Sequence, residues 1–88
     1  MAAYKIIFDR DVERDLAKIP KKIVKVVLKK TLALGHQPNP SQSLKISGTE
    51  GLYRLRAGDY RILYSIDNRS KEITIYHIRH RKDVYRNL

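Results

Sequence analysis

The chain has 88 residues, 42% apolar and 32% charged, which supplies one hydrophobic core and excludes a second domain or a disordered tail. Cysteine is absent, which excludes disulfides and thiolate metal sites and fits a reducing cytoplasm. No apolar run reaches the length of a membrane span, and the opening MAAYKIIFDRD lacks the pattern of a secretory signal. Nineteen Lys and Arg against nine Asp and Glu leave a net charge of +10. Such a field attracts polyanions: nucleic acid above all, but also an anionic membrane surface or an acidic protein.

Taken in chain order, residues 4–8 (YKIIF) read as an opening strand. Asp9 or Asp11 is placed to cap a helix through about Ile19, with Val12, Leu16 and Ile19 as its buried stripe. Pro20 ends that helix and suits the first turn of a second one over 20–34. This second helix carries Ile23, Val24, Val27, Leu28, Thr31 and Leu34 on one arc and Lys21, Lys22, Lys25 and Lys29 opposite, and Gly35 stops it. The two helices form a hairpin. Residues 35–43 (GHQPNPSQS) are a loop by their prolines and polar side chains, and Gly48 and Gly51 mark another turn.

Three strands follow at about 52–57, 60–67 and 72–79, joined by hairpin-length connections into an antiparallel meander. The tail 80–88 (HRKDVYRNL) reads as a short final helix. The order β-α-α-β-β-β-α defines a single α+β domain over residues 1–88, the helical hairpin covering one face of the sheet. Alternation then decides what stands on the other face.

Of the basic residues, those in the first half are mostly Lys, the usual filler of a solvated helix surface, whereas seven of the ten in residues 45–88 are Arg. Arginine presents a planar fork that grips phosphate oxygens in pairs. Arg54 and Arg56 share a face of the first meander strand, Arg61 opens the central strand and Arg79 closes the last, so the four are placed to gather on one sheet surface or its rim. Each has a plainer reading: a solvated strand face for Arg54 and Arg56, a local pair with Asp59 for Arg61. Likewise Tyr85 reads also as a core aromatic, His36 as an exposed loop residue, and His77, alternating with Ile73 and Ile75, as a hydrogen-bonded sheet residue. Taken together, the strand arginines and the tail favour a phosphate site, since those strands hold no facing carboxylates.

No metal-ligand cluster, phosphate-binding glycine loop or Ser-His-Asp set is present, and no cofactor is expected. The remaining inventory of Arg, Lys, three His and six Tyr suits cleavage of RNA by its own 2′-hydroxyl, where a protein need only bend the strand, offset phosphorane charge and move two protons. Arginine stays protonated and is a poor base, so proton transfer falls to His80, Tyr85 or, less readily, His77. Lys45, Arg81, Lys82 and Arg86 extend the basic set as RNA contacts.

The run 53–66 (YRLRAGDYRILYSI) followed by 77–88 (HIRHRKDVYRNL) resembles the RelE/ParE superfamily of toxin–antitoxin toxins, on the RelE side, as does the turn at Ile46-Ser47-Gly48. The resemblance spans essentially the whole chain. It implies a toxin that enters the ribosomal A site and cuts messenger RNA, neutralised by a RelB-like acidic antitoxin in a hetero-oligomer. Carried over by position, Arg54 and Arg56 match the family's basic pair on the first meander strand, Arg61 and Arg79 its phosphate-stabilising arginines, and Tyr85 its tail tyrosine. Family members often have lysine where Arg54 and Arg56 stand, which weakens either as a proton acceptor and turns attention to His80. Two other functions remain compatible with the sequence: a ParE-like gyrase inhibitor without nuclease activity, and a non-catalytic basic RNA-binding module. The latter calls for aromatics interleaved with the basic side chains, and Tyr53, Tyr60, Tyr64 and Tyr76 point mostly toward the core.

Overall fold

The computed structural model describes residues 3–40, 43–46 and 51–83. Their order is β1 (Lys5–Phe8), α1 (Arg10–Ala17), α2 (Lys21–Ala33), β2 (Ser43–Lys45), β3 (Leu52–Ala57), β4 (Tyr60–Asp67) and β5 (Glu72–His80). The five strands form one sheet in the order β1-β5-β4-β3-β2. β1 runs parallel to β5, and every other neighbouring pair is antiparallel. The meander, the helical hairpin and the opening strand match the sequence reading. The short β2 does not: the sequence reads Ser43 as the end of a loop, because a strand of three residues is too short for alternation to show. The expected final helix falls largely on residues outside those described; residues 81–83 form a turn. No helix among the described residues is long and apolar enough to cross a membrane.

Both helices bury apolar stripes against one sheet face. Val12 and Ile19 of the first helical segment and Val27 and Leu34 of the second join Leu55, Ala57, Ile62, Tyr64, Ile73, Ile75 and Ile78 in a single core. Lys21, Lys22, Lys25 and Lys29 lie on the solvent side of α2, as a helix with one apolar arc requires. Asp9 occupies the N-cap position of α1 with an extended backbone, but its side chain makes no capping bond; its carbonyl accepts the Val12 N–H instead. Gly35 follows α2 where the chain passes β1. A Cβ there would come within 3.1 Å of the Tyr4 carbonyl, while the Tyr4 N–H donates to the Gly35 carbonyl at 2.7 Å. Tyr64, wholly buried, stacks on Tyr53 with ring centroids 5.6 Å apart and donates its hydroxyl to the Pro38 carbonyl, tying the loop to the sheet. Desolvation pushes the Tyr64 phenol above its ordinary pKa, so it stays a donor.

Two features decide which side chains reach the opposite face. The first is a bulge. Leu63 pairs with His77 but Tyr64 pairs with Ile75, so Tyr76 is an extra residue on β5. Strict alternation from Ile73 and Ile75 would send His77 and Arg79 into the core. The bulge shifts the phase by one, placing Ile78 in the core and His77 and Arg79 on the far side. His77 is the hydrogen-bonded sheet residue of its plainer reading, on the face opposite Ile73 and Ile75 and 3.1 Å from Asp15 Oδ2. The Tyr76 hydroxyl meets that of Ser65, which alternates with buried Tyr64, at 3.1 Å.

The second feature is the protection of β5's outer edge. β1 pairs only with Glu72–Ile75, and after the Asp9 N–H bonds the Ile75 carbonyl the chain turns into α1. The rest of that edge would present unpaired backbone. Asp15 of α1 closes it. Its Oδ2 accepts the Ile78 N–H at 3.1 Å and faces His77 Nδ1 at 3.1 Å, and its Oδ1 lies 3.5 Å from Arg79 Nε. At 6% exposure this carboxylate is buried, a state that is tolerable only with such partners.

Asp15→Ala should lower the unfolding free energy by about 3 kcal/mol, because it strands a buried N–H and unpairs Arg79; urea denaturation measures this. A second expectation concerns the β4–β5 turn. Asp67 Oδ1 accepts the N–H groups of Arg69 and Ser70, and these backbone bonds, that of Ser70 foremost, hold its pKa below the usual value. Its contribution is therefore present above the unfolded-state pKa of about 3.9 and is lost as the pH falls through the lower folded value. Asp67→Asn, which retains the turn acceptor without titrating, should show a shallower loss of stability below pH 4 than the parent chain.

Candidate functional site

The face turned away from the helices carries the arginines. Arg56 pairs in register with Arg61, and Arg61 with Arg79, so three guanidinium side chains stand side by side on β3, β4 and β5. Neighbouring strands lie about 4.8 Å apart, which puts the three Cα atoms within about 10 Å end to end. Arg54 is one step further along the same face of β3, opposite Leu63. Leu63 is fully buried, yet it lies outside the helix-side core, between Arg54 and His77 in register. Arg56 is exposed, whereas Arg54, Arg61 and Arg79 are half-buried along their stems.

The strand ends aim two of these groups. Arg61 Nη1 donates to the Gly58 and Tyr60 carbonyls at 2.8 and 3.0 Å, drawing the guanidinium toward the β3–β4 hairpin mouth. That hairpin depends on Gly58, whose φ of 62° suits a residue without a Cβ. Arg79 is directed by Asp15, as described above. Guanidinium groups gathered in register on neighbouring strands suit a bound dianion or phosphodiester.

Other expected site residues are distributed differently. His80 pairs with Tyr60 and shares its side of the sheet, the helix side, with the two rings edge-to-face at 5.4 Å. There it borders a cleft of about 450 Å³ between α1 and the end of the sheet, which Arg79 and Asp15 also line, with Arg14, Lys18 and Asp83. His80 Nδ1 accepts the Lys82 N–H at 3.2 Å, so the neutral ring carries its proton on Nε2. The structure therefore does not bring His80 onto the face that holds Arg56 and Arg61. Lys45 pairs with Tyr53 and lies on that residue's side of the sheet, so it too is apart from the arginine row; the residue of β2 opposite Arg54 is Leu44. Arg81 is exposed beside the hairpin turn, its N–H on the Asp59 carbonyl at 2.7 Å and its Nε 3.9 Å from the Asp59 carboxylate. Lys82 is exposed next to it. Tyr85 and Arg86 lie outside the described residues.

Asp15 is the residue that sequence reading missed. Its neighbours in the site are 62 to 64 positions away, but a local signal exists: it falls on the same helical arc as Val12, Leu16 and Ile19. A carboxylate within an apolar stripe requires a buried partner from elsewhere in the fold.

The model of the ParE toxin of type II toxin–antitoxin systems, parDE, matches residues 6–85. Toxin RelG and Toxin RelE of Mycobacterium tuberculosis are each 31% identical over 84 residues. These alignments cover 94% of this chain, with 97% of the first protein and 87% of the second. Among solved structures, the RelBE2 toxin–antitoxin complex of M. tuberculosis superposes with a TM-score of 0.80 at 28% identity, covering 89% of this chain and 98% of that one. The archaeal RelE–RelB complex of Pyrococcus horikoshii OT3 gives 0.78 at 31% identity, covering 92% and 97%.

If the arginine row is electrostatically unfavourable in the empty protein, Arg56→Gln should stabilise the fold. Opposed like charges cost about 0.2–1 kcal/mol, which corresponds to a Tm rise of roughly 1–5 °C at low salt. Calorimetry at two ionic strengths checks both the sign and its screening; an unchanged or lowered Tm would contradict it.

Proposed function

Because the chain belongs to the RelE/ParE superfamily of type II toxin–antitoxin toxins, we propose that it is a ribosome-dependent endoribonuclease that cuts messenger RNA in the A site. The observation that carries this reading is the register Arg56–Arg61–Arg79 on three adjacent strands, with Arg54 beside it. A gyrase-binding surface has no need of a phosphate clamp, and cleavage of an RNA linkage does.

In this mechanism the substrate supplies its own nucleophile. The 2′-hydroxyl attacks the adjacent phosphorus, the 5′-oxygen leaves, and a 2′,3′-cyclic phosphate remains, with no call on a metal ion. Arg61 and Arg79 flank the phosphate and donate N–H bonds to its non-bridging oxygens, whose charge grows toward the phosphorane. Their rigid strand bases hold the bent linkage, and Arg54 and Arg56 bind the flanking phosphates. Removing the 2′ proton is assigned to a ribosomal RNA group or to the tail residue Tyr85. His80, whose Nδ1 accepts the Lys82 N–H, offers Nε2–H as a hydrogen-bond donor to the departing 5′-oxygen, which takes its proton from solvent. Its position on the helix side of the sheet end requires that the leaving strand pass around that rim. Arg81 and Lys82, exposed at the same rim, contact backbone phosphates there.

The partner is an acidic antitoxin of the RelB kind, forming a hetero-oligomer with the toxin. The net charge of +10 and the row of like charges favour a segment that folds on contact and neutralises the arginine face. A cytoplasmic location accords with a ribosomal target. The second reading, inhibition of DNA gyrase, is kept because the matching family model is that of ParE.

A toeprint on programmed ribosomes separates the two. The wild-type protein should cut the message, and Arg61→Ala should slow single-turnover cleavage by about a hundredfold or more, the usual effect of losing a transition-state donor. Intact message beside blocked supercoiling would decide for gyrase.

A further inference from the structure

We propose that Asp15, on α1, is the positioning residue that orients the Arg79 guanidinium for its phosphate; the inference rests on the nuclease reading and extends it to a residue that never touches RNA. The carboxylate uses both oxygens. Oδ2 faces His77 Nδ1 and the Ile78 N–H, each at 3.1 Å, which fixes the group against β5; Oδ1 then lies 3.5 Å from Arg79 Nε. The Asp15 side chain is 7% exposed, and those of His77 and Arg79 are 22% and 24% exposed, so the contact is shielded on the protein side.

The choice of nitrogen matters. A guanidinium is planar, so an acceptor on Nε determines the orientation of the whole fork. The four terminal N–H bonds make no contact with an acceptor among the described residues and remain for phosphate oxygens. The bulge at Tyr76 puts Arg79 on the arginine face, next to Arg61, which repels it. Without an anchor, Arg79 would swing outward into solvent. Asp15 opposes that swing from the strand edge.

The contact itself can be tested in the uncomplexed protein by NMR of the arginine Nε–H resonances, assigned with an Arg79→Ala spectrum. The Arg79 Nε–H should exchange with water at least tenfold more slowly than that of exposed Arg69, and equal rates would overturn the proposal without any folding variant. In single-turnover cleavage, Asp15→Asn, which leaves an oxygen for Ile78, should lower the maximal rate about tenfold and change half-saturation by ribosomes less than twofold. Placed in the Arg79→Ala background, the same substitution should cost less than twofold further, since its effect passes through Arg79. Equal losses in both backgrounds would make Asp15 merely structural and overturn the proposal. Should Asp15→Asn fail to fold, His77→Gln, which loosens the carboxylate from one side, serves in the same cycle with the same criteria. Intact message with wild-type protein beside a protected Arg79 signal would instead overturn the nuclease reading and leave the contact established.

Discussion

A single buried carboxylate joins the three parts of this fold on which the site depends. Asp15 comes from α1, bonds the backbone of β5 where β1 has ended, and reaches the first guanidinium of the arginine row. Burying a charge is costly, and a charge in that position is tolerable only if its partners are supplied in place. Helix, strand edge and site must therefore form together. An apolar side chain at position 15 would pack against Val12 and Ile19 but leave the Ile78 N–H without an acceptor at the sheet edge. The same interaction occupies the Ile78 N–H on the part of the β5 edge that β1 leaves open.

The bulge complements that anchor. An extra residue between Ile75 and His77 reverses the sidedness of the strand's second half, which moves Ile78 into the core and Arg79 out of it. Bulges recur next to functional sites because they re-aim side chains without changing the connection of the sheet. Here the outcome is a row of like charges, an arrangement that local stability disfavours. Such a conflict is expected where binding a polyanion repays it.

The helix side of the sheet behaves as an ordinary hydrophobic core, and there the sequence was easy to read. Period-3.6 and period-2 patterns placed α1, α2, β3, β4 and β5 within about a residue or two of where they lie, since burial on one face imposes those periods directly. β2 escaped because it has only three residues. The gathering of Arg54, Arg56 and Arg61 on one face was also legible, since β3 and β4 alternate without interruption up to Leu63. Position 79 was legible only in outcome. The apolar residues at 73, 75 and 78 break strict alternation by one, which is the trace a bulge leaves, but taken alone it does not tell which neighbour is extra.

Composition, charge and periodicity by themselves determined a basic α+β domain, its helical hairpin, its meander and the strand residues that carry guanidinium groups. These follow from local rules, in which each residue is judged against its near neighbours in sequence. Tertiary structure decided what joins residues more than 60 positions apart: Asp15 beneath His77 and Arg79, the parallel pairing of β1 with β5, and the turning of His80 and Lys45 away from the arginine row. Those outcomes depend on register and on where a partner strand stops, and neither quantity is encoded in any window short enough to show a period.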